Sequence, residues 1–154
     1  MTVDIAMNKF ETDKCQFTIL DAPGHRDFIP NMIAGASQAD FALLVIDSSV
    51  GEFESGFALG GQTKEHTLLV RSMGVQRIIV AVNKMDNAQW SHARFEEIQQ
   101  QMSQFLTSAN FNPRNVAFVP CSGLTGENII KKPKEGLMPW YKGRTLVKEL
   151  GMLW

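Results

Sequence analysis

Cysteine is scarce: Cys15 and Cys121 are the only two in 154 residues, and they form no CxxC pair. That argues against a disulfide scaffold and against a structural zinc site. Neither thiol has a histidine partner close by in sequence, so both are expected to be inert. An excess of one charge is also missing. Fifteen Lys and Arg stand against sixteen Asp and Glu, a net charge of -1. No strong non-specific attraction to nucleic acid or anionic lipid results from such a balance. Long apolar runs are absent too. The longest, Phe41 to Ile46 and Ile78 to Val82, are strand length, far short of the ~20 residues of a membrane helix. The opening Met1-Thr-Val-Asp-Ile5 has neither a basic start nor an apolar signal core. There is no internal repeat and no low-complexity tract. The expectation is a soluble protein of a reducing compartment, the cytoplasm, with no membrane or DNA partner.

What is present is the composition of one globular domain, 44% hydrophobic and 20% charged. Short apolar runs alternate with longer amphipathic stretches, the pattern of an α/β layer fold. Val3, Ile5, Met7 and Phe10 alternate roughly in period two, and Phe17 to Leu20 is a second strand. The polar Glu11 to Lys14 between them suits a hairpin. Phe41 to Ile46 and Ile78 to Val82 are continuously apolar, as strands buried on both faces are. Val116 to Val119 is a shorter run of the same kind. Between Ser91 and Ala109, Phe95, Ile98, Met102, Phe105, Leu106 and Ala109 fall on one helical stripe. Gln62 to Met73 is a further helix, with Gly74 placed to end it. Phe28 to Ala36 and Trp140 to Leu150 are weaker helical patterns. His66 and His92 are expected on exposed helix surface, and Trp90, Trp140 and Trp154 in packing roles.

Three short stretches come after strand candidates and carry chemistry. Asp21-Ala-Pro-Gly-His25 comes after the Phe17 strand. A carboxylate at the carboxyl end of a strand faces the crevice where α/β folds bind ligands. An Asp there can hold Mg²⁺ through water, and a Gly amide can approach a phosphate unobstructed. Asn83-Lys-Met-Asp86 comes after the Ile78 strand. Asn and Asp so spaced can bracket a purine, a carboxylate accepting the two N–H groups of guanine's edge. The Lys stem between them can lie over the base. Cys121-Ser-Gly-Leu124 comes after the Val116 strand and offers backbone amides to a base carbonyl. Each stretch alone is also what an ordinary turn looks like. Two of them in this order, each after an apolar strand, are harder to explain that way.

With these stretches go Phe-Ile-Pro-Asn-Met-Ile33, Gly51-Glu-Phe-Glu54, Gly61-Gln-Thr-Lys-Glu-His66 and Pro120-Cys-Ser-Gly-Leu-Thr-Gly126. Together they resemble the G domain of the translational GTPases, in the elongation factor 1-alpha branch, over about Thr2 to Leu150. The final Gly151-Met-Leu-Trp154 is an unmatched tail. Phe28-Ile-Pro-Asn-Met32 and Trp140-Tyr-Lys-Gly143 are similar to the Pelota-partnered ribosome-rescue GTPases. Pro120 to Gly126 also resembles the GTPase subunit of the eukaryotic release factor. The resemblance implies a P-loop GTPase-like three-layer α/β/α sheet binding GTP or GDP with Mg²⁺. It implies that Thr2 and Asp21 hold the Mg²⁺ and that the Gly24 amide meets the γ-phosphate. His25 would position the attacking water. Asn83 and Asp86 would read guanine, Lys84 would pack on the base, and Ser122, Gly123 and Leu124 would close over it. The ribosome and a tRNA-mimicking, Pelota-like partner, or tRNA, would be bound by the full-length form.

The chain departs from that family in one respect. No G-x-x-x-x-G-K-[ST] occurs, and no Gly is followed by Lys. That loop cradles the β- and γ-phosphates with its amides. The family fold would place the missing first strand between the Phe17 and Phe41 strands, with its P-loop and first helix missing alongside. Two buried strands would then be left with unpaired edges. The expectation is therefore a fragment of a translational GTPase. The alternatives are a non-catalytic chain acting at most as a protein-binding module, or a piece of an elongation- or release-type GTPase.

Overall fold

The computed structural model describes residues 6–21, 39–58, 61–72 and 74–152. Its elements are β1 (Ala6–Glu11), β2 (Gln16–Asp21), β3 (Ala42–Asp47), α1 (Glu52–Phe57), α2 (Gln62–Ser72) and β4 (Ile78–Asn83). They are followed by α3 (His92–Ser108), a 3₁₀ turn (Pro113–Asn115), β5 (Val116–Pro120) and α4 (Leu146–Gly151). The expected helix over Phe28 to Ala36 lies outside the described residues. Among the described residues, no helix is long and apolar enough to cross a membrane.

β1 and β2 form the expected antiparallel hairpin, with Phe10 opposite Phe17 and their rings stacked at 4.8 Å. Thr12 closes its turn by accepting the Cys15 N–H on its hydroxyl at 3.1 Å. β3, β4 and β5 form a parallel sheet in the order β3-β4-β5, Ala42 pairing with Ile78 and Ile78 with Val116. β4 is the middle strand and is buried from Ile78 to Val82. Period-two alternation divides it between two cores. Ile78, Val80 and Val82 pack with Phe53 of α1 and with Phe95, Ile98, Met102 and Leu106 of α3. Ile79 and Ala81 face the other way, toward Val119, Cys121, Leu146, Leu150 and Phe17. The result is the expected α/β/α layering, and the α3 stripe is the one its spacing predicts.

Three expectations need correction. The Phe41 strand is not buried on both faces: Leu43 and Val45 are 41% and 58% exposed. They sit in register with Ile79 and Ala81, on the face of the sheet where α4 packs over β4 and β5. Among the described residues β2 and β3 belong to separate sheets, in agreement with the expected absence of the strand between them. The last helix begins at Leu146 rather than Trp140. The Tyr141 hydroxyl donates to the Arg144 carbonyl at 2.6 Å, bending the chain there, and Thr145 then caps the helix by accepting the Lys148 N–H. His66 is half-buried, and burial lowers its pKa. His92 does lie on exposed surface, stacked on Trp140 at 4.8 Å.

Periodicity does not anticipate α1. Its signal is local: the Gly51 N–H donates to the Glu54 carboxylate three residues on, at 2.7 Å. Arg94 of α3 then locks this corner. Its side chain is only 10% exposed. Nε donates to the Ser48 carbonyl at 2.9 Å, and Nη2 to the Ser49 carbonyl at 3.1 Å. Nη1 and Nη2 fork onto Glu54 at 2.6 and 3.2 Å, and Nη1 also meets Glu97 at 3.1 Å. All five guanidinium N–H donors are thereby used.

Arg94 holds the Glu54 carboxyl down to about 2 from an ordinary 4.5, chiefly through this hydrogen bonding. A carboxyl depressed in the folded state stabilises above its unfolded pKa, and the contribution disappears as pH falls toward the folded value. Urea midpoints should therefore fall between pH 4.5 and 2, and should fall less for Glu54→Gln. Identical pH profiles for the two proteins would show that the Arg94 fork carries no such linkage. Glu54 is half exposed, so the effect is smaller than the shift alone suggests.

Candidate functional site

Parallel strands deliver their exit loops to one end of the sheet, and the residues after β4 and β5 meet there. Met85 is fully buried beneath the first loop, and Cys121 is buried at the start of the second. The loops are joined by backbone: the Cys121 N–H donates to the Val82 carbonyl at 3.0 Å, and Met85 N–H to the Cys121 carbonyl at 3.2 Å. Side chains complete the join. Gly123 N–H donates to Asn83 Oδ1 at 2.8 Å, and the Ser122 hydroxyl to Asp86 Oδ1 at 2.7 Å.

These bonds orient the two polar residues. An amide N–H facing Asn83 requires an oxygen, so the Asn83 NH₂ group must turn the other way. Asp86 has one carboxylate oxygen tied to Ser122, and Oδ2 accepts no bond from the described residues. Ser122 is completely buried. Its hydroxyl therefore supports Asp86 rather than facing outward. Leu124 is 87% exposed at the loop tip. Its amide donates to nothing among the described residues.

Lys84 stands between Asn83 and Asp86 with φ at +60°, a backbone conformation uncommon for a lysine. Its Nζ lies 2.9 Å from Asp47 Oδ2. Asp47 ends β3 directly opposite Asn83 in the sheet register. The Ser49 N–H donates to its other oxygen at 2.9 Å. Burial pushes the Asp47 carboxyl up, but the bonds from Lys84 and Ser49 outweigh it and hold it below the usual range. Asp47 is a site residue missing from the sequence reading, although it carries the signal that picks out Asp21: a carboxylate directly after an apolar strand.

The candidates therefore divide. Asn83, Lys84, Asp86, Ser122, Gly123 and Leu124 come together on adjoining loops. Thr2, Gly24 and His25 lie outside the described residues. Asp21 closes β2, its backbone opposite Ala6, and its side chain is not among those described. Among the described residues no group of His, Cys, Asp or Glu side chains converges on a metal-sized site. The β4 loop therefore presents an outward donor on Asn83, an open acceptor on Asp86 and an aliphatic stem between them.

The sequence matches the family described as Elongation factor Tu GTP binding domain over residues 1–150. It is 55% identical to Protein HBS1 of Drosophila melanogaster over 148 residues, 96% of this chain and 22% of that protein. It is equally 55% identical to elongation factor 1-alpha-B of Schizosaccharomyces pombe, over 93% of this chain and 31% of the relative. The crystal structure of sup35 complexed with GDP superposes with a TM-score of 0.80 at 37% identity, over 94% of this chain and 34% of sup35. The chain thus spans between a fifth and a third of these relatives.

The packing beneath the two loops is open to a chemical test. Burial pushes the Cys121 thiol up to about 11, whereas Cys15 is half-buried near the hairpin turn. Iodoacetamide at about pH 8, near the ordinary thiol pKa, should modify Cys15 in the folded chain and reach Cys121 only after denaturation, as read by peptide mass spectrometry. Equal labelling of both would mean that the β5 loop is not packed as described.

Proposed function

Because the chain belongs to the elongation factor Tu GTP-binding domain family, we propose that it carries the guanine-reading part of a translational GTPase. One observation supports this reading above the others. The Ser122–Asp86 and Gly123–Asn83 bonds from the β5 loop leave an open carboxylate oxygen and an amide donor side by side on the β4 loop. Asp86 accepts the N1 and N2 hydrogens of guanine, and Asn83 donates to an acceptor on the purine edge. Lys84 covers one face of the base. Ser122 and Gly123 hold the two readers in place, and Leu124 lies at the rim.

For the phosphates the reading rests on the family. Asp21 and Thr2 would hold Mg²⁺, which would neutralise phosphate charge, the Gly24 amide would bond the γ-phosphate, and His25 would orient the attacking water. Phosphoryl transfer depends mostly on positioning and charge stabilisation, so one histidine at the water has leverage. In its full-length form the protein works with the ribosome in rescue and mRNA surveillance, in the cytoplasm, beside a tRNA-mimicking, Pelota-like partner. The domain runs from residue 2 to 150, with 151–154 outside it.

A second reading is favoured by one fact, the lack of any G-x-x-x-x-G-K-[ST] in the sequence. In it the 154-residue chain is non-catalytic and acts at most as a protein-binding module. Binding of a fluorescent guanine nucleotide to the folded chain, with Mg²⁺ and an ATP competitor, separates the two. GTP-specific binding supports the first reading, and no binding by a chain shown to be folded supports the second.

Two substitutions probe individual residues. Asp86→Asn converts a double acceptor into a mixed donor and acceptor. It should move preference from guanine toward xanthine nucleotides by on the order of tenfold to a hundredfold, the worth of one bidentate pairing. Unchanged guanine preference in competition would remove Asp86 from the reader's role. His25→Ala in the full-length form should slow ribosome-stimulated GTP hydrolysis by about a hundredfold or more at unchanged nucleotide affinity. A parallel loss of affinity would make His25 structural instead.

A further inference from the structure

The Lys84–Asp47 contact is out of proportion to what it contributes to folding. Lys84 is 53% and Asp47 26% exposed at the side chain. Ion pairs so open to water contribute only ~0–1 kcal/mol to stability. Yet the carboxylate is fixed from several directions. Asp47 lies in the β3–β4 register opposite Asn83, and the next residue, Ser48, donates its N–H to the Asn83 carbonyl at 3.0 Å. Ser49 N–H fixes the second carboxylate oxygen. The carbonyls of Ser48 and Ser49 are in turn gripped by the largely covered Arg94 guanidinium. A flexible lysine thus finds its anchor on an immobile turn.

From this geometry we infer that Asp47 is a positioning residue for nucleotide binding: it tethers the Lys84 ammonium so that the Lys84 stem forms a preset wall of the base slot. The inference rests on the guanine-reading role of the two loops. The stem is held at both ends, by the left-handed backbone at Lys84 and by Asp47 at Nζ. A lysine side chain has large rotamer entropy, and immobilising it on ligand arrival weakens binding. Pre-tethering moves that cost into the free protein. The wall touches a base face and not its edge, so the effect is on affinity for any purine the slot accepts. Discrimination stays with Asp86.

The test is a double-mutant cycle on the full chain, with binding of a fluorescent guanine nucleotide as the readout and thermal melting as the check on folding. Asp47→Asn should weaken binding about tenfold, the cost of immobilising one long side chain. In a Lys84→Met background the same substitution should change affinity by less than about twofold, since the tether has nothing left to hold. An Asp47→Asn chain that binds as tightly as wild type overturns the inference, and so does an equal loss in both backgrounds, which would mark Asp47 as structural. A second measurement needs no nucleotide. Hydrogen bonding to Asp47 raises the Lys84 pKa, so the ¹³C-dimethylated Lys84 ammonium should titrate at lower pH in Asp47→Asn. An unchanged titration argues against the tether. Failure of the wild-type chain to bind any guanine nucleotide overturns the guanine-reading role itself, and is thereby distinct from a wild-type chain that binds and an Asp47→Asn chain that binds equally.

Discussion

Strand β4 is enclosed on both faces, and the position of almost everything functional depends on that enclosure. Ile78, Val80 and Val82 cannot leave the α3 side without exposing Ile98 and Met102. Ile79 and Ala81 are equally committed to the α4 side. A one-residue slip would exchange the two sets, placing each against a surface shaped for the other. The register is therefore fixed, and with it the point at which the chain emerges as Asn83-Lys84-Met85-Asp86. Met85 extends the constraint past the strand, because its side chain is driven into the same core as the strand residues before it. The polar residues on either side of it are left at the surface.

The second loop acquires its position from the first. β5 runs parallel to β4, with Val82 paired to Pro120. The next residues therefore come up alongside Asn83, near enough for Gly123 and Ser122 to bond across. On the other side, β3 delivers Asp47 opposite Asn83 by the same register. Its turn would be an ordinary mobile connection were it not held by Arg94 from α3. Three strand ends and one helix thus converge on one small polar surface, and the hydrophobic layers beneath it supply the rigidity.

Much of this is legible in the residues. The helical stripe from Phe95 to Leu106 and the runs at Ile78 and Val116 give one answer at every level, from period to burial. The Asn83 to Asp86 and Cys121 to Leu124 stretches are conspicuous because they come directly after such strands. The illegible part depends on partners distant in the chain. Arg94 looks like any polar residue on the outer face of a helix; only tertiary contact with Ser48 and Ser49, more than 40 residues away, makes it a lock. Asp47 is likewise one more carboxylate until Lys84 lies beside it. The run at Leu43 to Ile46 misleads for a related reason: apolar composition records that a strand is meant to be covered, not by what. α4 begins late because Tyr141 bonds to a backbone carbonyl, a contact invisible to periodicity.

The same geometry separates two tasks that a nucleotide site must combine. Among the described residues, the contacts that orient the two candidate loops come from β3, β4, β5, α3 and the turns between them. On the proposed reading, this polar surface handles the base, and the phosphates are left to Thr2, Asp21, Gly24 and His25. This division has an energetic consequence. Recognition of a base edge fixes identity, whereas binding of the charged phosphates supplies much of the gross attraction. Substitutions around Asp86 should therefore register as changes in which base is chosen. Changes at the Asp47 turn should register as changes in how firmly any base is held, because that turn reaches the proposed reader through the Lys84 side chain and the Asn83 backbone carbonyl and makes no bond to Asp86 among the described residues.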